Sequence, residues 1–167
     1  MSNKFYDPLS FSQTSAKGLA DVVREALVSL GCPASKLNDF EQHASVTIEV
    51  DGLPNIQISI ENDRLWIWSA LTDLSEERVM QRAATVLSLL VVAMESVETG
   101  QLVLGKGQEG YELKALVCPS CLKQEDGLAD VIEQFQSRLE AFCQVLAGVC
   151  VQRAVTDNPA NKCIEWL

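Results

Sequence analysis

The strongest constraint on the fold is a change in hydrophobic period between residues 44 and 71. Here apolar residues occur at every second position, which is typical of strands with one buried face. The alternating residues are Val46, Ile48, Val50, Ile56, Ile58 and Ile60. Residues 51–55, Asp-Gly-Leu-Pro-Asn, form a turn-rich connection of hairpin length. The pattern therefore predicts an antiparallel meander.

A third strand, residues 65–71, is apolar on both faces. Leu65, Ile67 and Leu71 lie on one face of this strand. Trp66, Trp68 and Ala70 lie on the opposite face. A strand of this kind either lies at the centre of a covered sheet or offers its outer face to a second chain. Both interpretations stay open at this point.

Apolar residues with helical spacing mark three helices around these strands. The first begins near Ser15 and stops before Gly31, the second runs from Ser75 to about Ser96, and the third spans residues 128–146. Glycine just past the last apolar residue is a common helix stop. The sequence thus predicts helices on both sides of the strand segments.

The second helix carries more apolar surface than one small core needs. Between residues 86 and 94 apolar side chains surround the helix axis almost completely. A helix with this pattern is buried on more than one side. Because two-fold homodimers are the commonest oligomers, we predict that this helix packs against the same helix of a second copy.

Two further strands, Gln101–Leu104 and Leu113–Val117, follow the second helix. The resulting order, α-β-β-β-α-β-β-α, predicts an α+β domain with an antiparallel five-stranded sheet and three helices. We predict a flexible N-terminal lead of residues 1–14, a single domain of residues 15–152 and a C-terminal tail of residues 153–167.

Composition excludes several classes of function. Thirteen Lys and Arg residues against 23 Asp and Glu residues give a net charge of −10, whereas nucleic-acid binding normally needs a basic patch. The acidic surface instead attracts basic partner segments. The chain starts without an apolar run behind a basic flank, and Leu87–Met94 is far shorter than the ~20 residues that span a bilayer. We expect a cytoplasmic protein that neither binds nucleic acid nor inserts into membranes.

The motifs associated with chemistry lack their partners. Residues 105–110 satisfy GxGxxG, but a strand follows where a nucleotide site needs a helix N-terminus, so a hairpin loop is expected. Cys118 and Cys121 form a CxxC, yet no second CxxC or CxxH completes a zinc site, and the only histidine is His43. All six cysteines are expected to be reduced. We predict no enzyme, metal site or cofactor, with a thiol oxidoreductase using Cys118 and Cys121 as the alternative.

Several short stretches together resemble one known family. They are Gly31-Cys32, Leu53-Pro54 with Ile58-Ser59, Leu65-Trp66-Ile67-Trp68, Gln81-Arg82-Ala83, Gly100-Gln101-Leu102-Val103-Leu104-Gly105 and Leu113-Lys114-Ala115-Leu116-Val117. In order and spacing they resemble class I type III secretion chaperones, in the multi-effector (class IB) branch of the invasion protein B or SpaK family. The resemblance covers about residues 16–146.

The resemblance implies a small acidic homodimer in the bacterial cytoplasm, with a role in protein transport and virulence. Such a chaperone binds the N-terminal segments of secreted effectors, holds them non-globular and presents them to the export apparatus without hydrolysing ATP. The export ATPase is a further implied partner. An extended effector segment would add a strand to a sheet edge and insert apolar side chains between the first helix and the sheet. An adaptor that binds a folded partner is a second alternative.

By analogy with that family, effector contacts are placed on the first helix and the sheet, and dimer contacts are placed around the second helix. The predicted effector-binding residues are Leu27, Leu30, Val46, Ile48, Val50, Ile58 and Trp68. The predicted dimer-interface residues are Val86, Leu89, Leu90, Ala93, Leu102 and Leu104. Alternation marks a buried face without naming what covers it, so ordinary core packing explains each side chain equally well.

Overall fold

A computed structural model describes residues 5–37 and 45–147, which contain five α-helices and five strands. The helices are α1 (Phe11–Thr14), α2 (Leu19–Ser29), α3 (Glu76–Gln81), α4 (Ala83–Leu90) and α5 (Gly127–Ala147). The strands are β1 (Ser45–Ile48), β2 (Ile56–Glu61), β3 (Arg64–Leu71), β4 (Val103–Lys106) and β5 (Tyr111–Val117). Two short 3-10 helices, Ala34–Lys36 and Pro119–Lys123, lie between these elements. The predicted α+β class is confirmed.

All five strands form one antiparallel sheet in the order β1-β2-β3-β5-β4. The five-stranded antiparallel sheet is therefore confirmed, with β3 at its centre. Ile67 in β3 lies between Ile58 of β2 and Ala115 of β5, so one row of apolar side chains crosses three strands. The outer strands β1 and β4 are four residues long each.

The sheet has one covered face and one open face. Along β3, four alternate residues are at most 6% exposed, namely Leu65, Ile67, Ser69 and Leu71. The residues between them, including Trp66 and Trp68, are only half-buried. Helix α2 packs against β1, α5 packs against β3, and α2 and α4 both contact α5. The core thus lies between the helices and the covered face, and Phe135 and Phe142 of α5 are fully buried there.

The second predicted helix is shorter than expected and is broken. Helices α3 and α4 meet at Arg82, whose φ of −110° and ψ of 15° are not helical. The extension to Ser96 is wrong because residues beyond α4 bond to a following loop. Gln101 Nε2 donates to the carbonyl oxygen of Val91 at 3.2 Å, and Met94 N donates to that of Gly100 at 2.8 Å. This break and the additional α1 account for five helices instead of three.

The additional helix α1 attaches the start of the described chain to the sheet. Ser10 caps the helix, and Phe11 is buried in the core with 5% of its surface exposed. Asp63, in the turn between β2 and β3, accepts hydrogen bonds from Ser12 N at 2.8 Å and from Ser10 Oγ. This part of the predicted flexible lead therefore has defined contacts, while the predicted domain boundaries stay predictions.

The other boundaries differ little from the prediction. Helix α2 begins at Leu19, not near Ser15, and the chain turns at Gly31, whose φ is +87°. Helix α5 includes the whole predicted range 128–146. The predicted C-terminal tail, residues 153–167, lies outside the described residues, as do His43, Cys150 and Cys163.

Candidate functional site

The predicted effector-binding residues do not form one surface. Four of them are at most 5% exposed and belong to the core: Leu27, Val46, Ile48 and Ile58. Leu30 and Val50 are half-buried and pack against the rim of the core. Trp68 lies on the open face, on the other side of the sheet. The structure thus brings six of these residues to the helix-covered side and separates Trp68 from them.

Strand β1 forms one edge of the sheet within the described residues. Within the described ranges β1 pairs only with β2, with Val46 opposite Ile58. Leu30 follows the end of α2 and Val50 follows the end of β1. We call β1 together with Leu30 and Val50 the β1 edge. An accessible strand edge beside apolar side chains can bind an extended segment through main-chain hydrogen bonds.

The predicted dimer residues differ widely in exposure. They are, in order of increasing exposure, the buried Val86 and Leu102, the half-buried Leu89, Leu90 and Leu104, and the exposed Ala93. Buried side chains of this set pack within one chain. Their part in a dimer interface stays a prediction.

Three exposed apolar residues at the end of α4 are absent from the predicted dimer residues, although they belong to the apolar stretch of residues 86–94. They are Leu87, Val91 and Val92, which are 60%, 55% and 39% exposed. The i, i+4 spacing of Leu87 and Val91 was the available signal, because residues four apart lie on one side of a helix. We call these three residues with Ala93 the α4 surface. Contiguous exposed apolar residues are typical of association surfaces.

A hollow of about 490 Å³ lies on the open face. Trp66, Trp68 and Ala70 line it from β3, and residues 106–109 line it from the hairpin between β4 and β5. Trp68 Nε1 donates a hydrogen bond to Ser59 Oγ at 3.2 Å, which fixes this indole on the sheet. The hollow combines aromatic rings with charged side chains and is separate from the β1 edge.

The geometry of Cys118 and Cys121 does not suit redox catalysis. Cys118 precedes the 3-10 helix Pro119–Lys123, and Cys121 within it is 1% exposed. Burial, followed by the neighbouring Cys118, raises the pKa of Cys121 to about 11. Burial, followed by Glu98, raises the pKa of Cys118 as well. Catalytic thiols need a lowered pKa, so this pair stays protonated at neutral pH.

The glycine-rich stretch is the predicted hairpin. Gly107 N donates to the carbonyl oxygen of Gly110 at 2.7 Å between β4 and β5. A Cβ atom at Gly107 would overlap the carboxylate of Glu112, and the φ of Gly110 is +129°. Packing and backbone conformation therefore explain these glycines. Within the described part of the chain, no group of three or more His, Cys, Asp or Glu side chains is placed to hold a metal ion.

Of the helices that the structure describes, none has the length and the apolar composition to pass through a bilayer.

Comparison with known proteins shows the family to which this chain belongs. The family model of the invasion protein B family matches residues 31–108, which include β1 to β4. Two relatives, both named surface presentation of antigens protein SpaK, come from Salmonella typhimurium (strain LT2) and Salmonella typhi. Each is 32% identical over 128 residues, which are 77% of this chain and 95% of the relative. The chain belongs to the invasion protein B family.

Membership of the invasion protein B family confirms the sequence resemblance and relates the chain to type III secretion and invasion. The family is one of secretion chaperone-like proteins and not a known class of enzymes. Its match includes β1, the α4 surface and most of the residues that line the hollow, whereas Leu27 and Leu30 precede it.

Proposed function

We propose that the chain is a type III secretion chaperone of the bacterial cytoplasm. It binds the N-terminal chaperone-binding segment of secreted effectors and keeps that segment non-globular and secretion-competent without hydrolysing ATP. The observation that carries this proposal is the β1 edge: β1 pairs with β2 on one side only within the described sheet, and Leu30 and Val50 are half-buried apolar residues. Membership of the invasion protein B family supports the same function.

In the proposed mechanism, the effector segment adds to the sheet as a strand along β1. Main-chain hydrogen bonds hold it there, and alternate apolar side chains contact Leu30 and Val50. Ile48 and Ile58 are at most 1% exposed, so they anchor β1 and β2 in the core and do not need to contact the effector. The binding contacts supply the free energy that orders the segment, so no nucleotide is required.

The proposed functional unit is a homodimer that associates through the α4 surface. Burying Leu87 and Val91 against a second copy would remove two largely exposed apolar side chains per protomer from water. Each protomer would keep its own β1 edge free for an effector segment. The loaded dimer would then be received by the export ATPase of the secretion system.

The chaperone proposal is tested with the full chain and the isolated N-terminal region of an effector from the same host. We expect a stable complex without ATP, in which the effector amides exchange rapidly with solvent except along one short segment. The double variant Leu30→Ser with Val50→Ser should bind roughly 30-fold more weakly, because losing two half-exposed apolar contacts costs about 1 kcal/mol each. Val28→Ser is the control, since Val28 is an exposed apolar residue of α2 outside the β1 edge.

Two other results would contradict the proposal. Loss of effector binding in a Cys118→Ser, Cys121→Ser variant that still folds would favour a thiol oxidoreductase. Binding of a folded full-length partner, without binding of its isolated N-terminal region, would favour an adaptor.

A further inference from the structure

The open face of the sheet carries two tryptophans that no described helix covers. Trp66 and Trp68 alternate with fully buried residues of β3, yet both are half-buried and line the hollow of about 490 Å³. Trp68 is flanked in register by Gln57 of β2 and Lys114 of β5. Large aromatic rings among polar neighbours on an open sheet face are suited to contact a partner.

The charges around these rings do not cancel. Lys106 Nζ lies 2.7 Å from a carboxylate oxygen of Glu76, and Lys114 Nζ lies 3.3 Å from one of Glu112. Both lysines of the hollow are therefore already paired. Glu61 and Glu109 line the same hollow and form no ion pair within the described ranges, although Glu61 accepts a long hydrogen bond from Ser59 Oγ at 3.5 Å.

We infer that this hollow binds arginine side chains of the secreted segment, an inference that rests on the proposed chaperone function. The guanidinium group stacks on an indole face, whose π-electrons attract a cation, and pairs with Glu61 or Glu109. Arginine fits better than lysine because its planar group stacks on an aromatic ring and pairs with a carboxylate at the same time. A second copy of the chain is not the expected occupant, because the unpaired carboxylates of the hollow call for a cation and the proposed association of two copies uses the α4 surface.

The hollow is also within reach of a segment that is bound at the β1 edge. Thr47 in β1, Gln57 in β2 and Trp68 in β3 are register partners and form one row across the open face. Neighbouring strands lie about 4.8 Å apart, so β3 is about 10 Å from β1. A segment paired with β1 lies one spacing further out, about 14 Å from β3, and an extended chain advances about 3.3 Å per residue, so roughly four or five residues lead from it to the hollow. One effector segment can therefore occupy both sites.

The experiment measures peptide binding to the full chain by tryptophan fluorescence. The background carries Trp166→Phe, so that the signal reports only Trp66 and Trp68. The probe is a blocked heptapeptide of alternating serine and arginine, compared with the same peptide carrying norleucine in place of arginine. We expect saturable binding of the arginine peptide, weakened at least tenfold by high salt and at least tenfold in the norleucine peptide.

The decisive variant is Glu61→Gln with Glu109→Gln, which leaves both rings in place. It should weaken binding of the arginine peptide about tenfold or more. The matched control is Glu125→Gln with Glu133→Gln, two exposed acids outside the hollow that change the net charge equally. Equal affinity of these two variants, or equal binding of the norleucine peptide, would overturn the inference.

The same variants separate this inference from the chaperone proposal. If the Glu61→Gln, Glu109→Gln variant captures the effector region as tightly as its control, the hollow is not part of the site while the chaperone function stands. If wild type captures no effector region, the chaperone function fails, and the peptide titration still decides whether the hollow binds arginine. A change of oligomeric state in the Glu61→Gln, Glu109→Gln variant would assign the hollow to self-association and overturn the inference.

Discussion

Replacing Leu87 with aspartate gives the most direct test of the α4 surface. Leu87 is 60% exposed, whereas its neighbour Val86 is 5% exposed and packs in the core. The substitution therefore removes little packing within the chain. Leu90 is a poorer choice, because it is half-buried against the core and its loss would also weaken the fold. Any change in association of the Leu87→Asp variant can thus be assigned to the surface itself.

The expected size of the effect follows from the exposed fraction of Leu87. Complete burial of a leucine side chain is worth about 1.5–3 kcal/mol, and 60% of the surface of Leu87 remains to be buried, which leaves about 1–2 kcal/mol. A two-fold interface contains the residue twice, so its loss costs about 2–4 kcal/mol. This weakens dimerisation roughly 30- to 700-fold. Burying the new carboxylate without a partner adds to the cost.

Sedimentation velocity in the micromolar range measures the outcome. We expect wild type to sediment as a dimer and Leu87→Asp as a monomer with an unchanged circular dichroism spectrum. Val28→Asp is the matched control, because Val28 is 49% exposed on α2 and the substitution changes the net charge equally. The reasoning is refuted if wild type is a monomer, or if Leu87→Asp and Val28→Asp sediment alike as dimers.

Three further predictions concern the fold. Phe11→Ala should lower the free energy of unfolding by about 3 kcal/mol in a urea titration, because it empties a buried site under α1. Hydrogen bonds from Ser10 and then Ser12 hold the pKa of Asp63 below its usual value, so their stabilisation is complete above about pH 4 and is lost as the pH falls through the lower folded-state pKa. Asp63→Asn should remove this part of the acid dependence of unfolding, and equal acid profiles would contradict it. The raised pKa of Cys121, about 11, leaves on the order of one thiolate in a thousand at pH 8, so a disulfide reagent should modify it rapidly only after denaturation.

The strands were predictable because apolar residues at every second position are visible in a short stretch of sequence and always lie on one face of a strand. Ile56 and Ile58 lie on the covered face as their spacing predicts, and the turn before them lies where Gly52 adopts a φ of +70°. The two apolar sides of β3 were also visible from the sequence, and the structure shows that helices cover only the side of Ile67. The identity of the covering element was not predictable, because it depends on contacts between distant parts of the chain.

The helix errors have two different origins. Ser10-Phe11-Ser12-Gln13 has the S-x-x-Q pattern of a capping box, so α1 had a local signal that hydrophobic periodicity alone does not use. Its attachment to Asp63 joins residues about fifty positions apart and leaves no local pattern. The break at Arg82 contains neither glycine nor proline, and the sequence offers no ordinary signal for it.

The sequence predicted which helices and strands form the candidate sites, but it did not predict which of their residues are exposed. Apolar spacing identified α2 and the first strands but did not distinguish a core residue such as Ile58 from a rim residue such as Val50, because both follow the same alternation. The same limit applies to α4, where the exposed Leu87 stands next to the buried Val86. The exposure of each residue depends on how far the helices and strands packed against it extend. That extent is not visible in the residues around it in the sequence.

The two edges of the sheet differ in composition, and the difference indicates which one receives a strand. Strand β4, Val-Leu-Gly-Lys, contains a glycine and ends in Lys106, which pairs with Glu76 at 2.7 Å. Glycine weakens a strand, and lysine on an edge disfavours pairing with another chain. Strand β1, Ser-Val-Thr-Ile, contains no charged residue, glycine or proline. Its last three residues are β-branched and have a high strand propensity. No residue of β1 opposes pairing with another chain, so only the short length of β1 limits such pairing. An effector segment that supplies a longer strand would therefore pair at β1 and not at β4.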